Sequence, residues 1–73
     1  MVNKKKINQA IKISGYKKEY LAREMGISKQ AFSNKINGNT EFKASELFYL
    51  VGKLHIRTED IEEIFFGKKA NEK

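Results

Sequence analysis

The stretch YLAREMGISKQAFSNKING, residues 20–38, carries the pattern from which the fold can be predicted. Its middle, MGIS, reads as the end of one helix, a tight turn and the start of another. Gly26 supplies a backbone conformation open chiefly to glycine, and Ser28 is a residue type preferred at helix N-caps. Ala22, four residues before Gly26, is small enough to let a second helix cross nearby. The stretch therefore predicts a helix-turn-helix.

The second helix of this motif has two faces of opposite character. At about 100° per residue, Phe32 and Ile36 fall together on the buried side. The opposite side and its flanks carry only amide, hydroxyl and lysine side chains: Lys29, Gln30, Ser33, Asn34, Lys35 and Asn37. These are the side chains that read base edges in DNA, and no carboxylate that phosphate would repel occurs between Glu24 and Glu41. A solvated helix face explains most polar faces, but the turn spacing, the missing acid and the positive charge together favour DNA binding.

The rest of the chain is also predicted to be helical. Apolar residues recur at helical spacing, and no strand-like alternation is present. The predicted helices cover residues 4–14, 17–25, 28–37, 43–54 and 58–66. Thr58 is the expected N-cap of the last helix. We predict one all-α, five-helix domain over residues 1–66 and a disordered basic tail over residues 67–73.

The composition limits the class of protein. A chain of 73 residues forms one small domain, and its 15 Lys and Arg against 9 Asp and Glu give a net charge of +6, typical of proteins that bind polyanions. There is no cysteine, and His55 is the only histidine, so we expect no metal site and no cofactor. No catalytic motif is recognisable, so we do not expect an enzyme. Without a signal peptide or a membrane span, the expected location is the cytoplasm of a bacterial cell or phage-infected host.

The sequence resembles the lambdoid Cro and repressor proteins, the XRE-like family, over residues 5–66. The resemblance is carried by YLAREMGISKQAFSNKING and by SNKING, TEF and SEL, which are common in small phage and prophage members. It implies a compact lambda-repressor-like domain whose third helix enters the major groove of operator DNA. Two departures are Phe32, larger than usual for that position, and Lys43, where a Ser or Thr cap often precedes the fourth helix.

The resemblance and the charge pattern together predict the DNA contacts. By position, the residues expected to contact bases are Ser28, Lys29, Gln30, Ser33 and Asn34. The residues expected to hold the DNA backbone are Lys18, Lys35, Asn37, Asn39 and Lys43. Of these, Lys35 and Lys43 are assigned from their charge beside the motif.

The expected partners are double-stranded operator DNA and, through a weak contact, a second copy of the chain. Phe65 and Phe66 cannot both face one small core, so we predict a weak dimer interface at this end, with completion only on DNA as an alternative. Two alternatives stay open. One is a modulator or antirepressor that acts by contacting another repressor, and the other is an antitoxin-like autoregulator. No membrane partner is expected.

Overall fold

The computed structural model describes residues 2–67, and every regular element within that range is helical. The elements are α1 (Lys4–Ser14), α2 (Lys18–Met25), α3 (Lys29–Ile36), α4 (Ala44–Lys53), a 3₁₀ turn (Thr58–Asp60) and α5 (Ile61–Phe66). The predicted all-α, five-helix architecture is confirmed, and each helix begins and ends within three residues of its predicted bounds. Of the predicted tail, Gly67 caps α5, and residues 68–73 lie outside the described residues.

The core is assembled from the apolar faces of all five helices. Phe32, Ile7 and Leu21 are among its largest fully buried side chains. Truncation of a buried phenylalanine such as Phe32 to alanine lowers the free energy of unfolding by about 3–5 kcal/mol. The full set of buried apolar residues is Ile7, Ile11, Leu21, Ala22, Phe32, Ile36, Leu50, Leu54, Ile64 and Phe65. None of the helices between residues 2 and 67 is long and apolar enough to cross a membrane.

An aromatic row joins α3 to α5 through the loop that precedes α4. The ring of Phe42 lies edge-to-face against Phe32, with centroids 6.4 Å apart, and against Phe65, with centroids 5.7 Å apart. Phe65 is only 5% exposed, whereas Phe66 is 50% exposed. The burial of Phe65 argues against its predicted role in a dimer interface, because the core already covers its ring. Of the predicted pair, only Phe66 lies at the surface.

The N-terminus of the described chain is fastened to the last helix. The backbone N–H of Asn3 donates to the carbonyl of Ile64 at 2.7 Å, and the Asn3 side chain caps α1 by accepting from the N–H of Lys6 at 3.1 Å. Lys6 also lies 3.7 Å from the Glu63 carboxylate. One asparagine therefore both starts α1 and holds α1 against α5.

Two helices begin without a Ser or Thr side-chain cap: α5, against the prediction for Thr58, and α4, where the sequence places Lys43. Thr58 is not an N-cap, because it lies inside a 3₁₀ turn that begins after Arg57 and runs directly into α5. At α4 the N-cap residue is Lys43, whose side chain makes no cap hydrogen bond. Instead, Glu46 accepts from the Lys43 N–H at 2.7 Å. A carboxylate three residues inside the helix thus replaces the missing Ser or Thr.

The end of α4 lacks the glycine that often follows a helix. His55 takes this position with φ of 55°, the only non-glycine residue with positive φ between residues 2 and 67. Its N–H donates to the carbonyl of Gly52 at 3.4 Å, and the N–H of Ile56 donates to the carbonyl of Val51 at 3.0 Å. The exposed histidine is therefore a helix-end residue held in a left-handed conformation.

Candidate nucleic-acid interface

The turn between α2 and α3 fixes how these two helices meet. Gly26 has φ of 74° and ψ of 24°, and the N–H of Ile27 donates to the carbonyl of Ala22 at 3.0 Å. A Cβ at Gly26 would meet nothing within 4 Å, so the backbone angle and not lack of space requires glycine. The Ser28 hydroxyl then accepts from the N–H of Ala31 at 3.0 Å and caps α3, as predicted.

The buried face of α3 anchors the helix by two side chains. Phe32 is 0% exposed and Ile36 is 2% exposed, which agrees with the predicted inner face. The larger side chain of Phe32 is accommodated beside Phe42 in the aromatic row. Ala22 of α2, 1% exposed, is the small residue expected near the helix crossing. With its inner side packed, α3 leaves Lys29 and Gln30 exposed and Ser33 and Asn34 half-buried on its other side.

The outer face of α3 carries the amides and the lysine that were predicted to contact bases. Lys29 and Gln30 are exposed, while Ser33 and Asn34 are half-buried. The Gln30 side-chain amide donates to the Asn34 side-chain carbonyl at 3.3 Å, which aligns the two amides one helical turn apart. There is no acidic residue in the first turn of α3. The face therefore offers hydrogen-bond donors and acceptors without a negative charge.

The loop after α3 is folded back onto the helix. The N–H groups of Asn39 and Thr40 donate to the carbonyl of Asn34 at 2.8 Å and 3.4 Å, and the N–H of Asn37 donates to the carbonyl of Ser33 at 2.9 Å. The Asn37 and Asn39 side chains are exposed. Asn37 and Asn39, which were predicted to contact the DNA backbone, thus lie on a loop whose own peptide N–H groups are hydrogen-bonded to α3.

Lys35 differs from the other lysines predicted to contact DNA. Its ammonium lies 3.1 Å from the Glu46 carboxylate and donates to the carbonyl of Glu41 at 3.0 Å. The side chains of Lys35 and Glu46 are only 11% and 7% exposed. Since this ammonium is nearly buried and already paired, the structure argues against the predicted phosphate contact, and we remove Lys35 from the candidate interface.

The Glu46 carboxylate is stabilised in its charged form. Burial alone would raise the pKa of Glu46, but the hydrogen bond from the Lys43 N–H and the neighbouring Lys35 ammonium lower this pKa below its ordinary value. The pair thus joins α3 to the first turn of α4. This link was not predicted, because helical spacing shows which side of α3 holds Lys35 but not which residue lies opposite.

The remaining predicted lysines lie at the starts of two helices. Lys18 is the first residue of α2 and is half-buried, and Lys43 is exposed at the N-cap of α4. Lys17, the exposed N-cap residue of α2, was not among the predicted contacts. The two consecutive lysines at the start of α2 were a sequence signal from which Lys17 could have been identified. We add Lys17 to the candidate set of phosphate-binding cations.

All three tyrosines of the chain gather where α2 meets α4. Tyr16 and Tyr20 stack with ring centroids 5.4 Å apart, and the Lys53 ammonium lies 4.8 Å from the Tyr16 centroid and donates to the Tyr20 hydroxyl at 3.2 Å. The Tyr49 hydroxyl donates to Glu24 at 2.7 Å. Burial, and then this bond to Glu24, raise the pKa of Tyr49 to about 12. These contacts explain the tyrosines as a structural cluster that holds α2.

The pKa values of the charged members agree with this interpretation. The hydrogen bond from Tyr49 and the nearby Lys53 lower the pKa of Glu24, and the hydrogen bond to Tyr20 together with the charge of Glu24 raises the pKa of Lys53. Both groups therefore remain charged at neutral pH. Between residues 2 and 67 no group of acidic or histidine side chains is placed to hold a metal ion.

The acidic residues of the C-terminal part lie on other elements than α2 and α3. Glu59 and Asp60 belong to the 3₁₀ turn, and Glu62 and Glu63 to the first turn of α5. Glu63 pairs with Lys6 of α1, and Glu59 lies 3.3 Å from Arg57. Carboxylates are thus absent from the outer face of α3 and its following turn, which is the electrostatic requirement for approach to phosphate.

Comparison with known proteins gives one family. Residues 4–68 match the family described as "Protein of unknown function (DUF739)". No curated protein and no solved structure matches the sequence. Because the matched residues cover nearly the whole chain, from the start of α1 to beyond the end of α5, the protein belongs to the DUF739 family.

Proposed function

We propose that this protein is a sequence-specific DNA-binding regulator of transcription, a Cro-like repressor of a phage or prophage. In this proposal α2 and α3 are a helix-turn-helix within a lambda-repressor-like fold, and α3 lies in the major groove. The observation that carries it is the outer face of α3. That face combines an exposed lysine, two aligned amides and a hydroxyl with no carboxylate, on a helix whose opposite side is buried.

Each part of the site has a separate role in the proposal. Gln30 and Asn34 are suited to adenine, Lys29 to guanine, and Ser28 and Ser33 to several bases. Ser28 accepts from the Ala31 N–H, and its hydroxyl proton is still able to donate. The phosphates would be held by Lys17, Lys18 and Lys43 and by the Asn37 and Asn39 amides of the loop.

The test is selection of binding sites from a pool of random duplexes, followed by gel-shift titration of the enriched sequence. We expect enrichment of one short motif by the wild-type chain. The double variant Gln30→Ala/Asn34→Ala, whose changes lie on the outer face and spare the core, should bind the enriched and random duplexes alike. The matched control is Gln9→Ala, an exposed amide on α1, which should retain the preference. No binding to any duplex at low salt would contradict the proposal.

A second candidate function is modulation of another repressor through protein contact. It is favoured by Ile13 of α1, a large apolar side chain that is 79% exposed. A modulator would shift DNA poorly alone and would need its partner repressor. In that case Ile13→Ser should weaken the effect on the partner repressor, and Gln30→Ala should leave that effect unchanged.

A further inference from the structure

A groove of about 200 Å³ lies between α1 and the 3₁₀ turn and α5, and we call it the α1–α5 groove. Its apolar part is formed by Ala10, Ile13 and Ile64, and the carboxylates of Asp60 and Glu63 lie at its edge. Among the described residues that line the groove, none was predicted to contact DNA. The groove is therefore a second surface feature, separate from the outer face of α3.

The apolar part of the groove is open on one side. Ile64 is buried and Ala10 is half-buried, and both pack with the core. Ile13 is 79% exposed and belongs neither to the core nor to the apolar residues packed against it. Its side chain therefore extends the apolar lining outwards, where it can contact an occupant.

The acidic residues of the C-terminal part are not distributed evenly around the groove. The helix dipole favours carboxylates in the first turn of α5 but does not determine which side they take. Glu59 and Glu62 are exposed to solvent, whereas Asp60 and Glu63 are half-buried and line the groove.

The two carboxylates in the groove are only partly neutralised. Glu63 lies 3.7 Å from the ammonium of Lys6, which is itself at the groove edge. Asp60 takes part in none of the ion pairs formed within residues 2–67. The groove thus carries an excess of negative charge on a chain whose net charge is +6.

This combination excludes several classes of occupant. Nucleic acids and anionic lipid surfaces would be repelled by Asp60 and Glu63. Drug-sized ligands occupy pockets of about 300–1,000 Å³, which is larger than this groove. What fits is one large apolar side chain together with a neighbouring Lys or Arg, a combination that proteins supply.

We propose that the α1–α5 groove binds an amphipathic, basic segment of a partner protein. An apolar side chain of the segment packs against Ala10 and Ile13, and a Lys or Arg of the segment lies between Asp60 and Glu63. The groove runs along residues 6–13 of α1, about 10 Å, which matches about two turns of a helix laid into it. This inference does not depend on DNA binding.

The first experiment is a subtractive selection from a library of random peptides of about twelve residues, enough for about three helical turns. Passage over the Ile13→Ser/Asp60→Asn chain first removes peptides that bind other surfaces, and the remainder is selected on the wild type at about 0.15 M salt. We expect enrichment of peptides with a large apolar residue one helical turn from a Lys or Arg. No enriched family, or one without a basic residue, would overturn the proposal.

One enriched peptide with a fluorescent label then measures the affinity of single variants. Ile13→Ser should weaken binding about tenfold or more, because an aliphatic side chain is lost from an apolar contact. Two controls should bind as the wild type does: Phe48→Ser, at an apolar residue of α4 that is 78% exposed, and Glu62→Gln, at an acidic residue outside the groove. Circular dichroism verifies that each variant is folded. Equal binding by Ile13→Ser and the wild type would overturn the proposal.

A charge exchange tests the position of the basic residue. A peptide with its Lys or Arg replaced by Glu should bind the wild type poorly and Asp60→Lys more tightly. Glu62→Lys adds the same charge outside the groove and should give no such gain. An equal gain in both variants would show that only net charge matters and would overturn the assignment to the groove.

Two further measurements distinguish this site from other uses of the same surface. Ile13→Ser should bind duplex DNA as the wild type does, and a loss of DNA binding would place the groove in the DNA interface instead. Sedimentation equilibrium of the wild type without peptide should show a monomer. Self-association that Ile13→Ser abolishes would mean that a second copy fills the groove, and the proposal would be wrong.

Discussion

The ammonium of Lys35 lies 3.1 Å from the carboxylate of Glu46, and both side chains are almost excluded from solvent. This pair joins the end of α3 to the beginning of α4. It also distinguishes Lys35, which stabilises the domain, from exposed lysines such as Lys29, which are available to a ligand.

Lys35→Met should destabilise the domain. Removing one partner of a nearly buried pair leaves the other charge unpaired, which costs about 3 kcal/mol or more. Lys29→Met, on the exposed side of the same helix, should change the free energy of unfolding by less than about 0.5 kcal/mol. Urea unfolding followed by circular dichroism measures both. Equal stability of the two variants would show that the pair contributes little.

The pH dependence of stability should change in Glu46→Gln. The native pKa of Glu46 is lowered, so the unfolded chain binds more protons in the window between that pKa and about pH 5.5. The contribution of Glu46 to stability is therefore fully present above this window and is lost as the pH falls through the native pKa. We expect the variant to be less stable at pH 7 and to lose less stability on acidification.

The measurement compares urea midpoints at pH 7 and at about pH 4, a value just below the ordinary glutamate pKa. Glu59→Gln is the control, because Glu59 is 65% exposed in a surface pair with Arg57, a class of pair that contributes little. An unchanged difference between the two midpoints in Glu46→Gln would contradict the assigned role.

His55→Gly should stabilise the protein. A non-glycine residue in the left-handed region is disfavoured, and glycine relieves this at some cost in chain entropy, leaving a gain of about 0.5–1 kcal/mol. For a domain of this size that corresponds to a rise in Tm of about 2–8 °C. His55→Ala keeps the strain and should show no gain. Thermal unfolding of both variants decides the matter, and a lower Tm for His55→Gly would refute the prediction.

If the protein binds DNA as proposed, affinity should depend strongly on salt. Each neutralised phosphate contributes about −0.9 to the slope of log K against log salt, so three lysine–phosphate contacts give a slope near −2.7 and a loss of affinity of about twenty-fold for a threefold rise in salt. Fluorescence anisotropy titrations at several salt concentrations measure the slope. A slope near zero would exclude the phosphate contacts expected from Lys17, Lys18 and Lys43.

Mutations should distinguish the residues that read bases from those that contact the DNA backbone. Gln30→Ala or Asn34→Ala should lose about 1–3 kcal/mol on a selected site and little on random duplexes. Lys18→Ala should weaken both by a similar factor, because phosphate contacts carry no sequence information. Parallel titrations of the two duplexes make the comparison. Identical behaviour of all three variants would show that α3 is not the reading helix.

Local sequence signals predicted the helices and the turn at Gly26 well. The positions of Gly26 and Ser28 follow from backbone angle and capping chemistry, which depend on a few neighbouring residues. Burial of Phe32 and Ile36 follows from helical spacing. Such features are predictable because the cause and the residue lie within one or two turns of each other.

Features that depend on distant residues were missed. The sequence shows Lys35 on a flank of α3, but its partner Glu46 comes from another helix, and the pair forms only when α4 packs in place. Thr58 is of a residue type that favours an N-cap, and residue type alone does not distinguish the 3₁₀ turn before α5 from a first helical turn. Phe65 and Phe66 are alike in the sequence, and the burial of Phe65 depends on Phe42, a distant residue in a loop.

The aromatic row through Phe42 has a consequence for how the molecule opens. An isolated helix of six residues such as α5 is too short to persist in water, so it depends on contacts such as that of Phe65 with Phe42. Withdrawal of Phe65 removes the support of Phe42, and Phe42 in turn covers the edge of Phe32. We therefore expect the backbone amides of α5 and those of the turn of α3 around Phe32 to exchange with deuterium in one cooperative event, with a shared opening free energy.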